Sequence, residues 1–126
     1  MLAVLSGCSQ RLPTLTVTFF DVGKGDCILL ECDGHAAMID AGFDNTANDI
    51  LSALADKGID TLDFLLLTHM DKDHVGGADK FLENLTIGAV YAPDYEKDAK
   101  QYQQYVDALA ASGMTAIHPA EPLTLS

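Results

Sequence analysis

Basic residues are scarce: Lys and Arg together number 7 against 19 Asp and Glu, a formal charge of -12. That balance argues against a surface within these residues built to steer in nucleic acid or to lie on anionic lipid; metals, cationic partners or plain solubility suit it better. Proline is sparse at 4 residues while 48% of the chain is apolar, so the composition is that of a folded globule and not of a disordered tail. No uninterrupted run of about 18 apolar residues occurs, so no segment reads as a membrane-spanning helix. No internal repeat is visible. Cysteines number only 3. Cys27 and Cys32 fall on one predicted strand with their side chains on opposite faces, which argues against a disulfide between them. The 126 residues make one domain at most, long enough to bury about 65% of the surface an extended chain exposes.

The start of the chain has a pattern of its own. Leu5-Ser6-Gly7-Cys8 resembles a bacterial lipobox, in which the cysteine becomes the acylated first residue of an exported lipoprotein. The apolar stretch before it is only about six residues and carries no basic residue. A small-residue turn in an N-terminal strand fragment is therefore the alternative. On the first reading, residues 1–14 are the end of a signal and a tether and Cys8 is the lipid attachment point. The protein is then extracytoplasmic and meets the bacterial membrane only through that anchor.

From Leu15 onward the hydrophobic pattern is regular. Leu15–Asp21 and Asp26–Cys32 read as strands, the second with Ile28, Leu29 and Leu30 in succession, which suggests burial on both faces. Val22-Gly23-Lys24-Gly25 is a tight turn between them. Asp33-Gly34 is a strong hairpin signal and should reverse the chain into a third strand, His35–Asp40. After Gly42 the period becomes helical: Ala47, Ile50, Leu51, Leu54 and Ala55 form an apolar stripe, with Asp44 or Asn45 available as a cap and Gly58 as a stop. A strand at Phe64–Leu67, a helix over about His74–Leu85, a strand at Ile87–Tyr91, a helix carrying Tyr102, Tyr105, Val106 and Leu109, and a strand at Met114–His118 follow. The whole reads as an α/β (α+β) layered domain that begins with a hairpin-rich edge. Leu123-Thr124-Leu125-Ser126 looks like the opening of a further strand, so the chain reads either as truncated or as the first half of a larger domain.

One segment concentrates the chemistry: Thr68-His69-Met70-Asp71-Lys72-Asp73-His74-Val75-Gly76-Gly77. Four potential ligands, His69, Asp71, Asp73 and His74, stand between a buried strand and a helix, where open α/β sheets place their sites. Two imidazoles and two carboxylates suit zinc, manganese or iron. Such a turn can aim His69 and Asp71 at one point and Asp73 and His74 at a neighbouring one, an arrangement for two metals sharing a water. Asp and His before a helix are also common caps, and an acidic loop is commonly just solvated; four together after Leu65-Leu66-Leu67 weigh against that reading.

These residues resemble the metal-binding signature of the metallo-beta-lactamase fold superfamily, written H-x-H-x-D-H. More narrowly, Phe20-Asp21-Val22-Gly23-Lys24-Gly25-Asp26, Ile39-Asp40-Ala41-Gly42 and Leu67–Gly77 are similar to the hydrolase domain of the ComEC-type competence and DNA-internalisation family. The similarity runs from about Leu15 to the end. It implies that residues 15–126 are the N-terminal part of an αββα sandwich whose C-terminal half is the missing partner. It implies two divalent metals in the complete domain, zinc first and manganese as the alternative. His69 would hold the first metal; Asp73 and His74 would hold the second, with Asp73 as the catalytic group beside the attacking water. Asp71 departs from the superfamily's usual histidine and, as a ligand, would shift preference towards manganese or magnesium. Asp40 would support a ligating histidine from behind, its rival role being a turn-forming residue. Asp21 would line the cleft, whereas Asp26 reads as structural.

The implied activity is metal-dependent hydrolysis of a phosphodiester related to DNA uptake. A small-molecule hydrolase of the same fold and a non-catalytic surface-anchored domain are the alternatives. Because the later ligands of the family are expected beyond these residues, the 126-residue chain alone should have little or no activity. His35 and His118 read as an exposed hairpin residue and an isolated strand-end residue, not ligands. Lys24, between two glycines, is weak evidence for a phosphate contact in so acidic a chain; Tyr95, Tyr102 and Tyr105 suggest stacking on bases, but helical spacing makes two of the three packing residues.

Overall fold

A computed structural model of the chain describes residues 11–124. Cys8 and its lipobox lie outside the described residues, as do Leu125 and Ser126. The strands are β1 (Thr16–Phe19), β2 (Ile28–Cys32), β3 (His35–Ile39), β4 (Thr61–Leu62), β5 (Leu65–Leu66), β6 (Thr86–Ile87) and β7 (Val90–Tyr91). The helices are α1 (Ala47–Asp56), α2 (Lys72–Val75), α3 (Ala78–Asn84) and α4 (Lys100–Ala111). None of the described helices is long and apolar enough to cross a membrane.

The expected hairpin forms. β2 and β3 pair antiparallel with Cys32 opposite His35, which leaves a two-residue turn. Asp33 and Gly34 both take positive φ there, 51° and 79°, the left-handed pair that a tight hairpin needs. A five-stranded sheet runs β1-β2-β3-β5-β7, with β1, β2 and β3 antiparallel and β3, β5 and β7 parallel. Its register places Leu29, Met38, Leu65 and Val90 in one row across four strands. All four are fully buried, facing the core built with Ile50, Leu54 and Phe81 of the helices. The neighbouring row, Ile28, Ile39, Leu66 and Tyr91, points to the opposite face, since strand side chains alternate. These residues are only half-buried, and Ile39, Leu66 and Tyr91 line a groove of about 780 Å³. The apolar run Ile28-Leu29-Leu30 is therefore covered on one face and open on the other.

Several expected elements are redrawn by packing. The helix expected over His74–Leu85 is two helices separated by Gly76 and Gly77, because there the backbone runs against other loops and leaves no room for a side chain. A Cβ on Gly76 would lie 2.8 Å from the Gly42 carbonyl oxygen, and one on Gly77 2.5 Å from that of Ala41. The strand expected at Ile87–Tyr91 is divided between two sheets: β6 pairs parallel with β4, while β7 stays in the main sheet. The strand expected at Phe64–Leu67 is likewise reduced to β5 in the main sheet, with β4 beside β6. Met114–His118 forms a single parallel bridge, Tyr91 to Ile117, instead of a strand. Neither Asp44 nor Asn45 caps α1; a 3-10 turn over Asp44–Thr46 leads into it. The Asp44 carboxylate binds Lys80 at 2.8 Å. Among the described residues the cysteines are free thiols, Cys27 buried and Cys32 half-buried.

Candidate metal centre

Asp40 and Ala92 follow directly on the parallel strands β3 and β7, and Thr68 comes two residues after the end of β5, so their loops gather at the carboxyl ends of the strands. The three sequence motifs meet there through backbone hydrogen bonds. The Ala41 N–H donates to the His74 carbonyl at 2.7 Å, the Asp26 N–H to the Asp73 carbonyl at 3.2 Å, and the Gly42 N–H to the Asp26 carbonyl at 2.8 Å. Gly25 makes this approach possible: a Cβ there would sit 2.2 Å from the Asp73 carbonyl oxygen. The turn 22–26 is thus a brace under the ligand loop, a role legible in the sequence only as a pair of glycines.

Asp40 organises the centre. It is 1% exposed, and its two oxygens accept from the Thr68 N–H at 2.8 Å, the Thr68 hydroxyl at 2.6 Å and His74 Nδ1 at 2.8 Å. A carboxylate only accepts, so His74 carries its proton on Nδ1 and turns the lone pair of Nε2 outward. Asp40 adopts φ 58°, a left-handed conformation that costs energy for a residue with a side chain. Three hydrogen bonds offset that cost.

His74 Nε2 lies 3.6 Å from Asp73 Oδ2, and His69 Nδ1 lies 3.6 Å from Asp71 Oδ2. The two imidazole rings are 3.7 Å apart at 49°. The loop thus brings all four expected donors together in two pairs. Donor atoms of Asp26, Asp40 and His74 also lie within 4.8 Å of one another, a candidate Asp/His metal site. Asp40 already satisfies three donors, however, and Asp26 faces His74 Nδ1, at 3.7 Å, the nitrogen bonded to Asp40. Asp40 and Asp26 thus both stand on the Nδ1 side of His74, and Nε2 faces Asp73. The donor set of imidazole nitrogens and carboxylates fits a divalent metal of zinc or manganese type.

The remaining sequence candidates fall in different places. Asp26, read as structural, sits against His74, whereas the exposed Asp21 accepts from the Gly23 N–H at 3.3 Å and closes its own turn. His35 pairs with Asp63 at 2.7 Å at the far end of the hairpin, and His118 bonds the Ala92 carbonyl at 2.8 Å. Tyr105 is buried and its hydroxyl is pushed up to about 12 by burial and by Tyr102. Sequence reasoning missed two contacts onto the ligand loop: the Tyr95 hydroxyl accepts from the Met70 N–H at 2.8 Å, and the Lys97 ammonium pairs with the Asp71 carboxylate. Both residues lie outside helix and strand, so no local period placed them against the loop.

A mixed sheet backed by helices, with an Asp/His cluster at its carboxyl edge, defines a metal-site α/β domain. Residues 20–124 match the metallo-beta-lactamase superfamily, and the chain belongs to it. Divalent metal binding is the rule that this superfamily carries. The chain is 30% identical over 79 residues to hydroxyacylglutathione hydrolase of Aeromonas salmonicida, covering 63% of this chain and 30% of that protein. It is 30% identical over 101 residues to Recombination protein 2 of Haemophilus influenzae, covering 76% of this chain and 13% of that protein. The chain therefore spans less than a third of the length of either relative. A metallo-beta-lactamase-like structure from Thermotoga maritima superposes with a TM-score of 0.57 at 19% identity, over 90% of this chain and 63% of that one, and shares the fold.

Proposed function

We propose that this chain supplies the metal-binding half of a hydrolase that cleaves phosphodiesters, with a role in DNA uptake. The observation that carries the hydrolytic reading is the Asp40–His74 pair at 2.8 Å, which leaves His74 Nε2 beside Asp73 in a loop of four donors. The phosphodiester reading is supported by the likeness to Recombination protein 2 together with the Asp21–Asp26 and Thr68–Gly77 motifs.

Divalent metals bound here would supply Lewis acidity and an activated water. The chain's own residues do the rest. His69 and Asp71 would hold one position, and Asp73 and His74 the other. Asp40 keeps His74 in a single tautomer and Thr68 in register. Asp73 would keep one carboxylate oxygen beside the attacking water and take its proton, while the P–O bond to the leaving oxygen breaks and that oxygen departs with the electron pair. Zinc suits the imidazoles; the carboxylate at position 71 tilts the preference towards manganese. A lipid anchor at Cys8 would hold the domain outside the cytoplasmic membrane, and the 126 residues by themselves would turn over little or no substrate.

The likeness to hydroxyacylglutathione hydrolase favours a second reading, a small thioester as substrate. The test is hydrolysis of bis(p-nitrophenyl) phosphate and of a glutathione thioester by the full-length gene product loaded with zinc or manganese. Phosphodiester turnover that disappears in both Asp73→Ala and His74→Ala supports the first reading. Thioester turnover alone replaces it with the second, and no turnover of either leaves a non-catalytic, anchored domain as the account.

A further inference from the structure

The segment between β7 and α4 has an alternating pattern, Asp94-Tyr95-Glu96-Lys97-Asp98, and no helix or strand. Tyr95 and Lys97 both reach the ligand loop, the first at the Met70 N–H and the second at the Asp71 carboxylate. The acidic residues between and beside them do not: Asp94 is 87% exposed and turned towards His118, and Glu96 lies close enough to Tyr102 to help push its phenol up. Lys97 is therefore the cation aimed at the centre, although its own segment is acidic.

The other basic side chains with recorded partners are committed elsewhere. Lys57 pairs with Glu31 and Lys80 with Asp44, neither of them one of the four loop donors. Among the described residues Lys97 is the cation with an ion pair to a loop donor. The Tyr95 oxygen accepts a hydrogen bond from the Met70 N–H, so its own O–H is left to donate.

From this geometry we propose that Lys97 and Tyr95 form the anion clamp of the centre, binding a non-bridging oxygen of the substrate's phosphoryl group. The inference rests on the phosphodiester reading above. Lys97 pairs with Asp71, the donor through which it reaches the centre. With Asp71 held by a metal, the ammonium would be free to bind the anion, and the tyrosine hydroxyl would donate beside it. The clamp brings positive charge to the site without the chain being basic overall, which answers the objection that a charge of -12 poses to an anionic substrate.

The test is binding of inorganic phosphate to the zinc-loaded full-length protein, followed by calorimetry, with metal content measured on the same samples. Lys97→Met should weaken phosphate binding by about fivefold to tenfold, as expected for loss of one charge-assisted hydrogen bond at an accessible position. Lys97→Arg should restore most of it, and Tyr95→Phe should cost less than Lys97→Met. Metal content should stay at the parental value in all three. Phosphate affinity unchanged in Lys97→Met, with metal retained, would overturn the clamp and leave the phosphodiester reading standing. Loss of metal in Lys97→Met would also overturn it, since the lysine would then be a structural partner of Asp71. A parent protein that holds no metal would overturn the underlying reading itself.

Discussion

Asp40 Oδ2 accepts from His74 Nδ1 at 2.8 Å, and both residues are buried, at 1% and 8% exposure. A buried carboxylate facing an imidazole costs much desolvation unless it is fully hydrogen-bonded. Here the two Thr68 donors complete the shell. The pair links the end of β3 to the ligand loop and fixes which imidazole nitrogen faces the donors.

Replacing that carboxylate should damage the metal site more than the fold. Asn tolerates left-handed φ and matches Asp in shape, so Asp40→Asn keeps the backbone but can offer its NH2 to His74 Nδ1 and reverse the tautomer. Metal affinity should fall by about 10- to 100-fold, the usual cost of losing such an orienting group. Competition against a chromophoric chelator measures it, and an unchanged affinity would remove Asp40 from the site.

Gly25 touches the ligand loop with its backbone alone. Adding a methyl group 2.2 Å from the Asp73 carbonyl oxygen must push the turn and the loop apart. Gly25→Ala should lose about 1–3 kcal/mol of stability and weaken metal binding with it. Gly34→Asn, in a turn that accepts Asn and where an added Cβ meets nothing, should do neither. Thermal melts and metal titration of the two variants check the contrast.

Cys27 next to Asp26 is a buried thiol, pushed from 9.0 to about 12 by burial and then by the charge of Asp40. Its proton is lost in the unfolded chain near 9 and in the folded one only near 12. Raising the pH through that window favours unfolding, and below it the thiol's full contribution is present. Stability should therefore decline above about pH 9, and the decline should be shallower in Cys27→Ala. At pH 8, iodoacetamide should label Cys32 well before Cys27; equal rates would contradict this burial.

Phe81 is fully buried where α3 meets the core. Phe81→Ala should cost about 3–5 kcal/mol, read by urea unfolding. A loss below about 1 kcal/mol would mean that α3 does not pack as described.

The hairpin, the stripe of α1 and the ligand loop were legible because each has a local cause: an Asp-Gly turn, a helical period, and donors crowded after an apolar strand. What local pattern missed was decided at a distance. Asp26 reads as a turn residue until the chain folds it against His74, and Tyr95 and Lys97 are irregular until their segment crosses the loop. The break between α2 and α3 follows from the contacts of Gly76 and Gly77 with residues 41–44, which no window of sequence contains. The same holds for Gly88, whose Cβ would lie 2.7 Å from the Asp63 carbonyl oxygen and where the strand expected at Ile87–Tyr91 divides.

The central claim is that the Thr68–Gly77 loop holds metal. Elemental mass spectrometry of the protein purified without chelator, beside Asp73→Ala and His74→Ala, tests it most directly. The account predicts about one or two transition metals per parent chain and their loss from both variants with the fold retained. A folded parent with near-zero metal, or variants that keep the parental content, would contradict it.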